Sequence, residues 1–462
     1  MQSAAESAPT YDIVIVGGGS GGYACALRAA QLGLRVALVE QAELGGTCLH
    51  RGCIPTKALL HAAEVADSAR AAGRFGVQAT FESIDMPAVN KYKDGVVKRL
   101  YRGLQGLVSA ATIDYVQGTG KMVSRDTVAV GDTSLTGRAI VLATGSAARQ
   151  LPQAPVGGRI VTSESALALD TVPKRVIILG GGVIGVEFAS IYRSFGAEVT
   201  VVEALDRLVA AEDEAISGAL HRAFRKRGIM IRTGTAVTSA EDLGETVQIV
   251  LADGDTLEAD LLLVAIGRGP VSDDLGLDEI GVVTDRGFVT TDDQLRTTVP
   301  GIYAVGDLVP GLQLAHRGFA QGIFVAEQLA GLEPTPIVEH GIPRVTYSDP
   351  EIVSVGLTEH QVRESFGAAT CQELSLAGNG KSQILGTTGF VKLVRSASDG
   401  PVLGVHMIGG RMSEQAGEAQ LIVNWEAMPE EVASLIHAHP TQNEALGEAH
   451  LALAGKPLHS HT

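Results

Sequence analysis

The chain has 462 residues, a hydrophobic share of 45% and a formal net charge of −16 at pH 7. That length predicts roughly two to four domains with large cores, and the negative charge argues against nucleic acid and anionic membranes as partners. No apolar run is long enough to span a membrane, and four cysteines do not make a secreted disulfide framework. The first residues lack the basic and apolar pattern of a signal peptide and carry an acid where a transit peptide would carry arginine, so we expect neither. We therefore expect a cytoplasmic protein without membrane or nucleic-acid partners.

The first predicted element is a buried parallel strand at 11–16 that runs directly into a glycine-rich turn. Gly17, Gly19 and Gly22 have the GxGxxG spacing, a helix follows, and the next strand ends in Glu40. In a βαβ unit such glycines give the tight turn, the close approach to a pyrophosphate and the helix–strand packing. The terminal acid can bind ribose hydroxyls, so the pattern predicts a dinucleotide site.

Two cysteines with four residues between them follow in the segment 45–57. Positions i and i+5 of a regular helix lie about 8–9 Å apart, whereas a disulfide tolerates at most roughly 7 Å between Cα atoms. A Cys48–Cys53 bond therefore requires a distorted turn, for which Gly52 supplies the freedom, and Pro55 fits the first turn of the next helix. Such a bridge suits thiol–disulfide exchange. A pair of ordinary reduced thiols is the alternative, and zinc is disfavoured because no second ligand pair exists.

The same fingerprint recurs later in the chain. A strand at 176–179 precedes Gly180, Gly182 and Gly185, and the next strand ends in Glu203. Each position follows its counterpart by the same interval, 180 − 17 = 163. Two complete units in one register predict two dinucleotides per chain. The acid at 203 would repel a 2′-phosphate and favours NAD over NADP, while the first site, beside the cysteines, suits FAD because a flavin exchanges an electron pair with a disulfide.

Three further apolar strands end in small residues. They end at 143–145, at Gly267 and at Gly306-Asp307, and we expect them to pass close to the bound nucleotides. Asp307 is a candidate for holding the ribityl chain of a flavin, although an aspartate in a turn is the alternative interpretation.

After about residue 343 the nucleotide patterns stop, and short strands and helices predict an α+β unit. Its most informative segment is 437–444. Thiol exchange needs a base near neutral pH, and a histidine of this segment, His437 or His439, meets that need if Glu444 reaches back to orient its ring. Ordinary surface residues and a metal site are the alternatives.

Together these motifs resemble those of the dihydrolipoamide dehydrogenases in the pyridine nucleotide–disulfide oxidoreductase family. The resemblance runs from about Tyr11 to Gly455, and it includes the redox-disulfide motif at 45–57 and the HxHPTxxE signature at 437–444. It implies an α/β fold with two Rossmann-like dinucleotide-binding domains plus a C-terminal α+β dimerisation domain. The implied ranges are 1–150 for FAD with the redox disulfide, 151–275 for NAD, 276–343 for a central domain completing the FAD site and 344–462 for the dimerisation domain.

The resemblance also implies a reaction, in which protein-bound dihydrolipoamide is oxidised to lipoamide through a Cys48–Cys53 disulfide and FAD, and NAD⁺ is reduced to NADH. Cys48 would exchange with the lipoyl sulfur, and Cys53 would face the flavin. His439, oriented by Glu444, would be the acid–base residue and would reach the disulfide of the other subunit of a homodimer. Further partners would be the lipoyl domains of 2-oxo acid dehydrogenase complexes or of the glycine cleavage system. No metal is expected.

The resemblance assigns cofactor binding to residues in both nucleotide units, with Lys57 and Glu187 paired beside the reactive edges of the two cofactors. The assigned residues are Gly17, Gly19, Gly22, Glu40, Thr47, Lys57, Gly120, Ala143, Thr144, Gly145, Ser146, Asp307, Leu314, Ala315 and His316, together with Gly180, Gly182, Ile184, Gly185, Glu187, Glu203, Val237 and Gly267.

Three departures from the family pattern are present. His50 replaces a common asparagine, Thr56 replaces a serine, and the segment 268–271 departs from the usual GRxPN. Two other functions are the alternatives: an NADPH-dependent disulfide reductase of the same fold, like glutathione or mercuric reductase, and a non-catalytic flavin- and NAD-binding subunit of a complex. Glu203 argues against the first, and the intact cysteine and His–Glu pairs argue against the second.

Overall fold

The computed structural model describes residues 11–397 and 399–459. The helices are α1 Ser20–Gln31, α2 Gly46–His50, α3 Cys53–Ala71, α4 Met86–Ala110, α5 Ser163–Ala166, α6 Val183–Phe195, α7 Glu214–Lys226, α8 Leu277–Ile280, α9 Ala315–Leu329, α10 Glu359–Phe366, α11 Gly380–Leu385, α12 Ala416–Asn424, α13 Pro429–Ala433 and α14 Glu444–Leu453. Within these residues no helix combines the length and the apolar character needed to cross a bilayer.

The strands follow one another along the chain between these helices. They are β1 Tyr11–Val16, β2 Val36–Glu40, β3 Asp114–Gln117, β4 Gly120–Ser124, β5 Thr127–Val130, β6 Thr133–Leu142, β7 Ser146–Ala148, β8 Ile160–Thr162, β9 Arg175–Leu179, β10 Glu198–Val202, β11 Met230–Arg232, β12 Val237–Asp242, β13 Val247–Leu251, β14 Thr256–Ala259, β15 Leu261–Val264, β16 Arg268–Pro270, β17 Thr284–Asp285, β18 Phe288–Val289, β19 Ile302–Ala304, β20 Arg344–Thr346, β21 Glu351–Gly356, β22 Ala369–Ser375, β23 Phe390–Ser396 and β24 Gly404–Gly409.

One compact unit contains the described residues up to 58, together with 90–149 and 268–337. Its parallel strands are ordered β3-β2-β1-β6-β19, and β4 and β5 continue the sheet as an antiparallel extension of β6. Strand β2 is buried along its whole length, as expected where helices cover both faces of a parallel sheet. Helices α1 and α9 touch through glycines, since a Cβ on Gly322 would lie 2.2 Å from the carbonyl oxygen of Gly21.

A second compact unit contains 59–89, 150–267 and the described residues from 338 onward. Its parallel sheet has the order β11-β10-β9-β15-β8, with α6 between β9 and β10 and a separate antiparallel sheet of β12, β13 and β14. The two parallel sheets therefore repeat one topology, as the internal sequence repeat predicts. They differ in the fifth strand: β19 comes late in the chain, whereas β8 precedes the glycine turn of its own sheet.

The same unit carries a C-terminal antiparallel sheet in the order β20-β21-β24-β23-β22. Its core includes Val353, Leu393 and Met407, which are fully buried and belong to one cluster with residues of α12 and α14. This arrangement confirms the predicted α+β character of the last third of the chain. The predicted domain ranges remain predictions, although 268–337 lies in one compact unit with the N-terminal segment.

Candidate active site

The two glycine turns have nearly the same geometry. In the first, Glu40 accepts hydrogen bonds from the backbone N–H groups of Gly18 and Ala42, both at 2.7 Å. In the second, Glu203 accepts from Gly181 at 2.5 Å and from Leu205 at 2.7 Å. Each predicted ribose-binding acid is therefore fixed in its turn by backbone donors, and each carboxylate oxygen retains a second lone pair for a ligand hydroxyl.

The first and last glycines of each turn are required by close contacts inside the protein. Gly17 and Gly180 have φ of 109° and 106°, and a Cβ on either would lie 2.3 Å from a carbonyl oxygen, of Ala143 or Ala265. A Cβ on Gly22 would lie 1.8 Å from the oxygen of Gly17. A side chain at any of these positions would force the turn apart, so each of these close approaches requires a glycine.

The middle glycine of each turn has a different reason. Cβ atoms on Gly19 and Gly182 would meet no described atom within 4 Å, and each glycine immediately precedes the first residue of a helix, α1 or α6. Helix N-termini present unpaired N–H groups that bind phosphate. The open space in front of both helices fits the pyrophosphate of a dinucleotide, so the residues present fit FAD at the first turn and NAD at the second.

A network beyond the first turn joins residues that are distant in sequence. Ser146 Oγ donates to Asp307 Oδ2 at 2.6 Å and accepts from Arg268 Nε at 2.8 Å. The same guanidinium reaches Thr47 Oγ1 at 3.4 Å. The segment after Gly145 pairs antiparallel with 268–270 as β7 with β16, so the departure from GRxPN leaves this pairing intact. The predicted flavin residue Asp307 is thereby connected to the helix that carries Cys48.

The cysteines lie on two helices rather than one. Cys48 is in the short α2, Cys53 begins α3, and Arg51 and Gly52 separate the two helices. The predicted distortion is present, but the explanation based on Gly52 needs correction, because the left-handed backbone is at Gly45 and Gly46 (φ 104° and 57°). Gly52 is needed for space instead, since a Cβ there would lie 3.0 Å from the carbonyl oxygen of Thr47.

Cys48 and Cys53 are present as thiols, and their side chains hydrogen-bond to each other. This hydrogen bond and burial raise the pKa of the Cys48 thiol, while the charge of Lys57 acts to lower it. The thiolate is the nucleophile in exchange, so a Cys48 thiol with a raised pKa needs a base to remove its proton. The disulfide form stays a prediction.

The predicted base is held as the sequence suggests. His439 Nδ1 lies 2.8 Å from Glu444 Oε1, and the backbone N–H of Thr441 donates to the other carboxylate oxygen at 2.8 Å. Burial acts to raise the pKa of Glu444, but these two hydrogen bonds outweigh it and hold the pKa below its usual range. A charged carboxylate on Nδ1 leaves Nε2 as the free nitrogen, and the ring is 78% exposed in the isolated chain. This arrangement can accept a proton from a substrate thiol.

The comparisons with known proteins identify the family of the chain. Residues 11–322 match the pyridine nucleotide-disulphide oxidoreductase family, and residues 342–450 match the dimerisation domain of that family. The chain belongs to this family. It is 40% identical to a dihydrolipoyl dehydrogenase from Bacillus subtilis, a match that covers 98% of this chain and 100% of the relative.

Two solved structures extend the comparison. LpdA from Mycobacterium tuberculosis is similar with a TM-score of 0.89 at 27% identity, covering 96% of this chain and 99% of the other. The flavoprotein disulfide reductase RclA from Escherichia coli, solved as a Cu(II) complex, is similar with a TM-score of 0.87 at 27% identity, covering 96% and 100%. The predicted family and its α/β architecture are confirmed.

In this oxidoreductase the remaining predicted residues are distributed over both units. Thr144 donates to the carbonyl of Val271, and Leu314 precedes α9, which begins with Ala315 and His316. Gly120 begins β4 and faces the core, where a Cβ would lie 3.0 Å from a methyl of Val16. The other nucleotide-site residues lie in the second unit: Ile184 and Glu187 on α6, Val237 at the start of β12, and Gly267 after β15.

Some predicted relationships concern residues in different compact units. Lys57 belongs to the first unit, and Glu187 to the second, where its carboxylate accepts a hydrogen bond from the Tyr347 N–H at 2.9 Å. Their pairing stays a prediction. Among the described residues no group of three or more His, Cys, Asp or Glu side chains is placed to hold a metal ion.

Two buried residues that the sequence motifs do not indicate organise the turn after Gly306. Arg317 is 3% exposed and donates to the carbonyl of Pro310 at 2.6 Å. Gln321 is 1% exposed and accepts from the Gly306 N–H at 2.7 Å. Both face the core from α9, four residues apart, so their positions fit the helical period. A charged residue on an apolar helix face was the available signal.

Proposed function

We propose that the chain is an NAD-dependent dihydrolipoyl dehydrogenase that uses FAD. The observation that carries this proposal is the joint presence of the Cys48–Cys53 thiol pair and the His439–Glu444 pair in a chain 40% identical, along its length, to a dihydrolipoyl dehydrogenase. The substrate would be a dihydrolipoyl group, a vicinal dithiol that exchanges with a protein disulfide.

In the proposed reaction a lipoyl thiolate attacks Sγ of Cys48 in the disulfide form, which creates a mixed disulfide and releases the Cys53 thiolate. The second lipoyl thiol loses its proton to His439 and attacks the lipoyl sulfur of the mixed disulfide. Lipoamide leaves with its two sulfurs bonded, and the protein is left with two reduced sulfurs. FAD, when bound, would supply the transfer of this electron pair, with one proton, to NAD⁺ as a hydride. Of the two protons that the dihydrolipoyl thiols lose, one is thus retained in NADH and the other passes from His439 to solvent.

The coenzyme preference rests on the charge at the second turn. Glu203 places a carboxylate at the end of β10, where the ribose of a dinucleotide is bound in such folds. Arg207, the nearby cation, contacts Glu214 at 3.2 Å and the carbonyl of Ala210 at 2.9 Å. Both terminal nitrogens of its guanidinium therefore already have partners within the chain, which favours NAD over NADP.

Assembly as a homodimer follows from the dimerisation segment and from its surface. Four apolar side chains are exposed in the isolated chain: Leu421 on α12, Trp425 directly after it, and Leu435 and Ile436 just before the segment that carries His439. Exposed apolar side chains are often covered at a subunit interface. We propose that the partner subunit covers them, that His439 acts across the interface, and that lipoyl domains of a 2-oxo acid dehydrogenase or glycine cleavage complex deliver the substrate. A cytoplasmic location stays a prediction.

The test is the appearance of NADH when purified holoenzyme is mixed with dihydrolipoamide and NAD⁺, beside parallel reactions with NADP⁺. The proposal expects rapid reduction of NAD⁺ and little reduction of NADP⁺. His439→Gln should retain FAD and lose most of this turnover. Absence of NADH formation, with NADPH consumed by oxidised glutathione or another disulfide, would replace the proposed reaction by that of a disulfide reductase.

A further inference from the structure

The segment that carries His439 is held at both ends by one carboxylate, Glu418 of α12. His437 Nε2 lies 2.8 Å from Glu418 Oε1, and the side-chain amide of Asn443 donates to Glu418 Oε2. Because a carboxylate only accepts hydrogen bonds, Nε2 of His437 must carry the proton. His439 lies between His437 and Asn443, the two residues that Glu418 holds, and Glu444 comes directly after Asn443.

The anchor residues are much less accessible than the base that they flank. The side chain of His437 is 11% exposed and that of Glu418 is 26% exposed, against 78% for His439. The ring of His437 also packs directly on α14, since a Cβ on Gly447 would lie 2.5 Å from its Nδ1. This packing, together with the bonds to Glu418, joins α12, the segment and α14.

The charges strengthen the anchor. The hydrogen bond to Glu418 raises the pKa of His437, although burial opposes this effect. Burial acts to raise the pKa of Glu418, but the hydrogen bonds from His437 and Asn443 hold it below its usual range. Hydrogen bonds between charged groups are shorter and stronger than neutral ones.

We propose that Glu418 is a positioning residue that holds the segment 437–443 so that His439 keeps its orientation toward the reacting sulfur. His439 is exposed in the isolated chain, so its direction depends on the hydrogen bond to Glu444 and on the position of the backbone on either side. A shift of about 1 Å in a catalytic group can reduce a rate about 100-fold. The effect on catalysis rests on the proposed function, whereas the anchoring of the segment by Glu418 is independent of it.

The test compares Glu418→Ala and Glu418→Gln with wild type, and Glu414→Gln is the matched control because Glu414 is exposed just before α12. Two activities are measured on holoenzyme: NAD⁺ reduction by dihydrolipoamide, and ferricyanide reduction by NADH, which needs the cofactor sites but no base on a thiol. Hydrogen–deuterium exchange of peptides covering 437–443 is the third measurement.

Glu418→Ala should lower dihydrolipoamide turnover about 10-fold to 100-fold, leave ferricyanide reduction within about 2-fold and raise deuterium uptake in 437–443. Glu418→Gln, which keeps one acceptor oxygen, should have a smaller effect, and Glu414→Gln should have none. Adding Asn443→Ala to Glu418→Ala should cause no further loss, since one carboxylate serves both anchors.

Equal losses of both activities would show a general structural role and overturn the inference, as would unchanged dihydrolipoamide turnover in Glu418→Ala. If wild type fails to oxidise dihydrolipoamide, the proposed function is wrong and deuterium uptake decides the anchoring alone. Unchanged uptake in 437–443 would then overturn it, and a selective increase would support it.

Discussion

Gly185→Ala is the substitution whose outcome follows most directly from the geometry. A Cβ at this position would lie 1.9 Å from the carbonyl oxygen of Gly180 and 3.4 Å from a methyl of Ile178. Cβ atoms do not approach other atoms below 3.0 Å, so the turn and the start of α6 must separate by at least 3.0 − 1.9 = 1.1 Å. The N–H groups that converge on the NAD pyrophosphate would then diverge.

The size of the effect can be worked from this overlap. Forcing an extra methyl into a packed site costs about 1–3 kcal/mol. If that cost falls on the closed turn that binds the pyrophosphate, the KM for NAD⁺ rises about 5-fold to 150-fold. The first glycine turn lies in the other compact unit, so FAD content should stay at the wild-type level.

The assay is steady-state NADH formation at increasing NAD⁺ concentration, with the flavin content of each preparation measured by absorbance. Gly218→Ala is the control, because Gly218 lies inside α7 with only the flexible end of Arg222 near its Cβ position. An unchanged KM in Gly185→Ala, in a protein that still holds FAD, would refute the reasoning about the second turn.

Three other substitutions are expected to act on separate parts of the molecule. Gly22→Ala, whose Cβ would lie 1.8 Å from the Gly17 oxygen, should purify with much less FAD; full flavin content would contradict this. Glu444→Gln removes the charge from the 2.8 Å hydrogen bond between residue 444 and His439. It should lower dihydrolipoamide turnover about 10-fold to 100-fold and leave ferricyanide reduction by NADH unchanged. Equal effects on both activities would point to misfolding. Burial lowers the pKa of His450 to about 4, below its unfolded value of about 6.5. The contribution of His450 to stability is therefore present above pH 6.5 and is lost as the pH falls toward 4. Between pH 7 and pH 5 this loss is about 2 kcal/mol of the free energy of unfolding. Urea unfolding of wild type and His450→Gln at pH 7 and pH 5 measures this loss in the free energy of unfolding. The loss should be smaller by that amount in His450→Gln, and an equal loss in both proteins would assign the acid sensitivity to other groups.

Much of the nucleotide chemistry could be predicted from the sequence because it depends on local chain geometry. The interval between Gly17 and Glu40 recurs between Gly180 and Glu203, and the structure gives both turns the same backbone bonds to the terminal acid. A strand, a tight turn and a helix are adjacent in the chain, so residue spacing alone determines which atoms meet. The pair of His439 and Glu444 is local in the same sense, since Pro440 and Thr441 bring the two together within one turn of chain.

The support of these motifs depends on contacts that no spacing encodes. Arg268 reaches Thr47 across 221 positions, and Ser146 reaches Asp307 across 161. Glu418 lies on α12, outside the segment that it holds, and the residues next to it in the sequence do not distinguish it from a solvated surface charge. Such contacts form only when separate strands and helices pack, because packing sets which side chains end up within hydrogen-bond distance. Residue spacing therefore predicts the two nucleotide turns, the cysteine pair and the His439–Glu444 pair, whereas the packing of distant elements sets which residues hold them in place.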